Sequence, residues 1–586
     1  VSDDKTPKTD AAKNDLPKNE PPKSAAPPGP PPPKNPGFVT FTVDGKEVVA
    51  KPGTNLIEAA KLVGSEIPYY CYHPRLSIAA NCRMCLVEAS TAPKLVPACQ
   101  QGIAEGMVVK TNTDKVKAQQ RSVMEFLLLN HPVDCSICDQ AGECKLQDYY
   151  MRYDFKPSRL EGPKILRNKR KVLGDLIVLD QERCVLCTRC VRFMEEVAQA
   201  PQLGVFGRGS HEVIDVAPHY GKLDSNYSGN IVDICPVGAL LNRDFRFRAR
   251  AWFLSAAPSV CVGCSRGCSI NVDFMGQDTY RFRPRENEAI NKSWMCDPGR
   301  LSYKALNQKR VVRPLIGQGN AARETHFADA VVQAGQKLKG FNVAVMVSPT
   351  FSNEDLMAAL ALARDGLKTK AVYVSGRPAG VGDKFLMTPD KNPNRKGLEW
   401  IAKGFGIELK PFSDLTALLD KNSVKALLSV GAEVPEDEAQ FVKRLSGVDT
   451  FVAVAVNENQ VTAAAHLVLG ASAHVEDEGT FTQEAGITQR VRRAYPPKGD
   501  SRPVWNISVA LAKELGLELK IGSARDAFKT FSSAVPELKD YAWDKNAPMN
   551  QTRPGIGTMA SGADGRPPGW REQGVPSIRG LTLPVT

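Results

Sequence analysis

The chain has 586 residues, 42% of them hydrophobic and 24% charged, with a formal net charge of +12. At roughly 150 residues per domain, such a chain suits about four soluble domains with sizeable cores. No run of 18 or more apolar residues occurs, which excludes a bilayer-spanning helix of its own.

Residues 1–36 contain eleven prolines, culminating in the run at 27–33. So little apolar surface predicts a disordered or polyproline-like tail, either solvated or docked on a partner. The segment has no apolar core and no Arg, so it reads neither as a secretory signal nor as a mitochondrial transit peptide. From Phe38 the pattern turns to alternation around Asp44-Gly45, which predicts a hairpin. A short helix should follow over Leu56, Ile57, Ala60 and Leu62, capped near Asn55 and ended by Gly64. Cys71, Cys82, Cys85 and Cys99 come next, three from one loop and one from a later strand, after the manner of a plant-type ferredoxin. That spacing suits a 2Fe-2S centre, with a zinc knot as the alternative. His73 lies beside these thiols and reads either as a residue that supports the ligands from behind or as a packing residue, since four thiolates already close the site.

Residues 114–130 carry an apolar stripe of Val116, Val123, Met124, Leu127 and Leu128, which predicts an amphipathic helix. His131, Cys135, Cys138 and Cys144 then offer one imidazole and three thiolates. The set suits a 4Fe-4S centre, with zinc held by the same four side chains as runner-up. Cys184, Cys187 and Cys190 form a tight Cys-x2-Cys-x2-Cys loop whose fourth partner, Cys235, stands before Pro236. This is the bacterial ferredoxin pattern for 4Fe-4S, because one loop wraps three corners of the cube and a remote thiolate takes the fourth. Pro236 suits the first position of a helix expected over 237–241. Arg183, Arg189, Arg192, Arg243, Arg246, Arg248 and Arg250 surround these ligands; they are expected to offset cluster charge, to meet an acidic partner, or simply to be a solvated face. The last tetrad is Cys261, Cys264, Cys268 and Cys296, again suited to 4Fe-4S with zinc as the alternative.

All fifteen cysteines therefore lie between Cys71 and Cys296. With His131 they make four groups of four, which argues for metal ligation and against a disulfide framework. Thiolate-bound clusters are anionic and need nearby cations, so the positive net charge is weak evidence for nucleic acid. Beyond residue 296, helix and strand patterns alternate: a helix near 326–338, a strand at 343–347, a helix at 353–367, and strands at 371–374, 426–430 and 451–456. That rhythm predicts an α/β domain with a largely parallel sheet. Gly317-x-Gly319-x-x-Ala322 imitates a dinucleotide fingerprint but lacks its strand-turn-helix frame, and reads as a loop. The last 40 or so residues, rich in Pro and Gly, read as an extended arm.

With the four tetrads placed, the chain resembles the large iron-sulfur subunit (NuoG) of bacterial proton-pumping NADH:quinone oxidoreductase (respiratory complex I), closely over residues 38–300. The back half is similar to molybdopterin oxidoreductases, most clearly at residues 465–491, where Glu476, Gly479, Thr480, Phe481, Thr482, Gly486 and Gln489 fall on the family pattern. Gly470 and Gln483 depart from it, and the chain is expected to stop short of the final pterin-binding domain. The resemblance implies an α+β then α/β architecture: a Pro-rich tail (1–36), a β-grasp 2Fe-2S ferredoxin domain (37–118), a 4Fe-4S module with one histidine and three cysteines (119–160), a ferredoxin-like 4Fe-4S module (161–250), a 4Fe-4S domain of molybdopterin-oxidoreductase type (251–312), a degenerate molybdopterin-oxidoreductase-like α/β domain (313–535) and an arm (536–586).

It further implies one 2Fe-2S and three 4Fe-4S clusters, no molybdopterin and no catalytic residue. The fourth cluster would lie off the electron path. Expected partners are the flavin/NADH-binding subunit, the small 2Fe-2S subunit and the quinone-module iron-sulfur subunits. No nucleic acid is expected, and membrane attachment only through partners, at the cytoplasmic face of the bacterial inner membrane. Competing readings are the catalytic subunit of an NAD-linked formate dehydrogenase, an iron-only hydrogenase, and a zinc-stabilised scaffold. The first two would ordinarily need further ligands in the C-terminal half, where no cysteine stands.

Overall fold

Val39–Val43 and Lys46–Ala50 form the hairpin that their alternation predicts, turning through Asp44 and Gly45, whose φ angles are 49° and 81°. Gly45 relieves the strain of that left-handed turn. The computed structural model describes residues 37–154 and 156–544. The tail expected over 1–36 and most of the arm expected over 536–586 lie outside the described residues. The chain divides into two compact units: one contains the residues up to Ile67 with Cys85–Lys117, the other Pro68–Met84 with Ala118 onward.

In the first unit, five strands run in the order Lys46–Ala50, Val39–Val43, Val108–Lys110, Leu86–Ala89, Val96–Pro97. Alternation places Phe41, Val43, Val48, Val87 and Val109 in the core. The helix Leu56–Lys61 begins where Asn55 Oδ1 accepts from Glu58 N at 3.1 Å, and it buries Leu56, Ile57, Ala59 and Ala60. Its cap satisfies an amide that the first helical turn leaves unpaired.

The second unit starts from small elements around the cysteines. Lys171–Val172, Ile177–Leu179 and Leu240–Asn242 form one antiparallel sheet, and Ser255–Val260, Ser269–Met275 and Asp278–Pro284 another. The helix expected over 237–241 is absent. After Pro236 the chain turns and becomes the strand Leu240–Asn242, because the amides of Val237, Ala239 and Leu240 are directed at the Cys235 sulfur instead of into a helical ladder. The helix predicted over 114–130 is present as Asp114–Leu129.

The C-terminal half is built on an eight-stranded sheet in the order Arg323–Glu324, Leu315–Ile316, Leu467–Gly470, Thr450–Ala455, Ala426–Val430, Val343–Val347, Val372–Val374, Leu409–Lys410. The last six of these are mutually parallel. Val343–Val347, Ala426–Val430 and Thr450–Ala455 are buried along their whole length, as strands covered by helices on both faces must be. Phe327–Leu338, Asn353–Ala361 and Val504–Glu514 pack together on one side. The helix expected to run to 367 loosens into a wider turn from Leu362 to Gly366. Val343–Val347 stands in the middle of the sheet: the chain moves from it to Val372–Val374 on one side, then returns to Ala426–Val430 on the other. Gly317-x-Gly319-x-x-Ala322 is a loop between the edge strand Arg323–Glu324 and its neighbour Leu315–Ile316, as read. Packing continues beyond 536, since Leu538 and Trp543 join the same core.

Candidate iron-sulfur sites

None of the eleven cysteines from Cys135 onward forms a disulfide. The clearest site is the third tetrad. Cys184 leaves the turn Gln181–Arg183, Thr188 takes a left-handed conformation (φ 58°), and Cys190 is the second residue of the helix Arg189–Arg192. Cys235 arrives at the end of the helix Asn230–Ile234. All four thiols line one cavity, whose other walls include Leu179, Val185, Ile214, Val237 and Leu240. Burial pushes the Cys184 thiol up to about 12 and Cys187 to about 11, and Cys190 is raised further by the neighbouring charges of Cys187, Cys184 and Cys235. Metal ligation requires these sulfurs to lose their protons. Leu186 N donates to Cys184 Sγ at 3.4 Å, and Val237, Ala239 and Leu240 donate to Cys235. Amides aimed at sulfur stabilise the thiolate and tune a bound cluster.

In the second tetrad, Cys135 starts a single turn, Cys138 ends it, and Cys144 precedes the helix Lys145–Tyr149. The Cys138 and Cys144 thiols are raised by burial, Cys144 to about 12, and Cys138, Cys144 and Cys135 lie near enough to feel one another's charge. His131 is held neutral, its pKa lowered to about 4 by burial; Asp134 opposes the shift, while Arg183, Lys164 and Lys169 add to it. A neutral imidazole is the form that ligates metal. In the fourth tetrad, Cys268 is raised by burial and by the charges of Cys261, Cys264 and Cys296. Gly299 N donates to Cys296 Sγ at 3.3 Å.

For the first tetrad, Cys71 and Cys82 belong to the second unit and Cys85 and Cys99 to the first. Cys71 N donates to Cys82 Sγ at 3.5 Å. Cys85 and Cys99 are both buried, and Cys85 O accepts from Ala98 N at 3.0 Å. His73 packs as expected, its ring stacked on Trp294 at 5.2 Å, with its pKa lowered to about 3 by burial and then by Arg189.

The residues present fit iron-sulfur groups in a further respect. A Cβ on Gly238 would stand 2.3 Å from Cys138 Sγ. One on Gly299 would meet Cys261 Sγ at 3.1 Å and Cys296 Sγ at 3.2 Å, and one on Gly263 would meet Cys261 Sγ at 3.5 Å. These glycines let backbone approach the sulfurs. Each stands two or three residues after a candidate ligand cysteine, a signal that sequence reasoning missed.

The arginines divide by role. Arg183 and Arg189 are buried. Arg183 Nη2 donates to Asp134 at 2.7 Å, and Arg189 Nη1 to Ile234 O at 3.0 Å. Arg192 donates to Cys71 O at 2.6 Å and Cys187 O at 3.1 Å, and Arg250 to Cys138 O at 2.8 Å. They tie ligand loops together and place positive charge beside sulfur. A buried clip also joins the third and fourth tetrads: Asn230 Nδ2 donates to Met295 O at 2.8 Å, and Asp297 accepts from Ser228 Oγ at 2.6 Å and Gly229 N at 2.8 Å.

Four family profiles match the chain: a 2Fe-2S iron-sulfur cluster binding domain at residues 38–114, the NADH-ubiquinone oxidoreductase-G iron-sulfur binding region at 120–159, the ferredoxin-like domain of NADH-quinone oxidoreductase subunit 3 at 174–241, and an NDSU1/NuoG-like 4Fe-4S domain at 254–304. Curated relatives include the G subunit of the NADH-quinone oxidoreductase of Rickettsia conorii, 42% identical over 302 residues (51% of this chain, 45% of the relative). Its Rickettsia bellii counterpart is 41% identical over 302 residues, 51% of this chain and 44% of that protein. The mitochondrial NADH-ubiquinone oxidoreductase 78 kDa subunit of Neurospora crassa is 42% identical over 313 residues, 53% of this chain and 42% of that protein. The matched region thus spans less than half the length of these relatives. Among solved structures, an NAD+-reducing NiFe-hydrogenase in the H2-reduced state aligns with 36% of this chain and 90% of its own, at 28% identity and a TM-score of 0.33.

Proposed function

Because the cysteine-bearing half of this chain is similar to the G subunits of NADH-quinone oxidoreductases, we propose that the protein is an electron-transfer subunit in the peripheral arm of that complex. Bound iron-sulfur clusters supply one-electron transfer with little rearrangement. The chain holds, buries and tunes them: Cys71, Cys82, Cys85 and Cys99 a 2Fe-2S cluster; His131, Cys135, Cys138 and Cys144, then Cys184, Cys187, Cys190 and Cys235, then Cys261, Cys264, Cys268 and Cys296, a 4Fe-4S cluster each. The observation that carries this reading is the convergence of Cys184, Cys187, Cys190 and the distant Cys235 on one apolar cavity. No side chain here is assigned acid, base or nucleophile work.

Electrons enter from a flavin/NADH-binding subunit beside a small 2Fe-2S subunit and leave toward the iron-sulfur subunits of the quinone module, with the cluster at Cys261–Cys296 off that path. The seven domains follow the boundaries read from the sequence, with Leu538 and Trp543 at the start of the arm (536–586) packed in the core of the α/β half. The α/β half keeps a molybdopterin-oxidoreductase-like sheet without that cofactor. Among the described residues no helix is long and apolar enough to cross a membrane; attachment at the cytoplasmic face of the bacterial inner membrane, through partner subunits, is part of the same proposal.

Iron and sulfide assay of anaerobically purified protein, with EPR of the reduced state, tests the assignment. About 14 iron atoms per chain, from one 2Fe-2S and three 4Fe-4S clusters, is the expected result. An iron-free or zinc-filled chain would refute it, and stoichiometric molybdenum or tungsten would favour the formate dehydrogenase alternative.

A further inference from the structure

The second and third tetrads are neighbours along one short stretch of backbone. Pro236, next to Cys235, has its carbonyl oxygen 4.0 Å from Cys144 Sγ and accepts from Lys145 N at 3.2 Å. Two residues on, a Cβ at Gly238 would lie 2.3 Å from Cys138 Sγ and 3.7 Å from Arg183 Cδ. Arg183 ends the turn Gln181–Arg183 and stands beside Cys184 in the chain, so by sequence it belongs to the third tetrad. Its guanidinium points to the second. Nε and Nη2 donate to the two carboxylate oxygens of Asp134 at 3.1 Å and 2.7 Å, and Nη1 stands 3.4 Å from Asp180 Oδ2. Asp134 sits between His131 and Cys135 of the second tetrad. A forked contact of this kind fixes the plane of the guanidinium as well as its distance.

Depth makes this charge count. Arg183 is 4% exposed, and a buried charge is screened far less than one at the surface. Lys169 also reaches Asp134, at 3.3 Å, but 48% of its side chain is open to solvent, and exposed pairs of that kind contribute little. The sulfurs separate the two tetrads in the same way. Burial raises the Cys138 thiol, and Arg183 is the leading charge that opposes the rise. Burial also raises Cys184, Cys187 and Cys235, but there the leading guanidinium in opposition is Arg167 at Cys184 and Arg189 at Cys187 and Cys235. An iron-sulfur group gains one negative charge for each electron it accepts, so a fixed cation beside it favours the reduced form and raises its potential.

We propose that Arg183 is a positioning residue lent by the loop of the third tetrad to the second: its guanidinium, fixed on Asp134, raises the midpoint potential of the cluster on His131, Cys135, Cys138 and Cys144 and leaves that of its own tetrad nearly unchanged. This rests on the iron-sulfur reading above. EPR-monitored redox titration of the anaerobically purified full-length protein tests it, with iron assayed in every variant. Arg183→Met removes the charge and keeps an apolar stem. At a fixed solution potential the reduced-to-oxidised ratio of the second-tetrad cluster is expected to fall about tenfold or more, which for a one-electron couple is a downward shift of about 59 mV. A unit charge a few ångströms away in a protein interior is ample for that. Arg183→Lys keeps the charge and is expected to recover most of the shift. Asp134→Asn removes the opposite charge and is expected to move the same potential upward, a reversal that loosened packing would not produce. An iron-free unaltered protein would overturn the iron-sulfur reading and this role with it. Full iron with an unchanged potential in Arg183→Met, an equal shift of the third-tetrad cluster, or a downward shift in Asp134→Asn would overturn the role of Arg183 alone. Should Arg183→Met lose its cluster, the double variant Asp134→Asn, Arg183→Gln removes both charges together, which buried pairs tolerate better than loss of one partner. Its potential is expected below that of Asp134→Asn, and equal potentials would overturn the proposal.

Discussion

Replacing Gly238 by alanine tests the iron-sulfur assignment at one contact. The added Cβ would lie 2.3 Å from Cys138 Sγ and 3.0 Å from Gln140 Cβ. Non-bonded heavy atoms settle at roughly 3.5–4.0 Å, so the sulfur or the backbone must retreat by about 1 Å. Residue 238 does not have positive φ, so alanine brings no backbone strain and the effect is steric alone. A metal ligand tolerates displacement of only about 0.2 Å, and Cys138 is one of three thiolates in its proposed tetrad, with His131 the proposed fourth ligand. The expected result is loss of that single cluster, about 4 of about 14 iron atoms per chain, together with its EPR signal, while the other clusters persist. The control is Gly102→Ala, where the new Cβ meets nothing within 4 Å; it should keep its full iron content. Full iron and unchanged spectra in Gly238→Ala would refute the placement of Cys138 against a cluster.

Three further outcomes are expected. His131→Cys exchanges a neutral ligand for an anionic one and should lower that cluster's midpoint potential in an EPR-monitored redox titration; an unchanged potential would count against ligation by His131. Glu476 is buried and accepts from Arg310 Nη2 at 2.7 Å and Ala473 N at 2.8 Å, so Glu476→Ala, which strands the Arg310 charge, should cost about 3–5 kcal/mol in denaturant unfolding of the α/β half. Burial raises the pKa of Glu354 from 4.5 to about 8, against the pull of its hydrogen bonds from Thr480. The folded state therefore holds this proton more tightly than the unfolded one. Stability should fall as pH rises from about 4.5 to about 8, by an amount on the order of 4 kcal/mol, and level off above. Glu354→Gln should remove that slope in calorimetric melts at pH 6 and pH 8, and an identical slope in both proteins would dispose of the argument.

The proposed tetrads could be read from the chain because three members of each later one fall within about fourteen residues, where the spacing of sulfurs is a local property. The fourth members, Cys235 and Cys296, could be paired only by elimination and pattern. Helices and strands of the α/β half were legible for the same local reason: Phe327–Leu338 and Val343–Val347 bury faces whose periods are written in consecutive residues. The helix expected after Pro236 failed because the demand of the Cys235 sulfur for amide donors outweighs local propensity.

Sequence alone determined which sulfurs are available and in what order, since short loops leave a metal few choices. It could not determine the order of strands across the sheet, the approach of Gly238 to Cys138 over a hundred residues, or the placing of the Arg183 guanidinium on Asp134. Those depend on which distant segments share a core, and packing energy is a property of pairs that the linear pattern does not name.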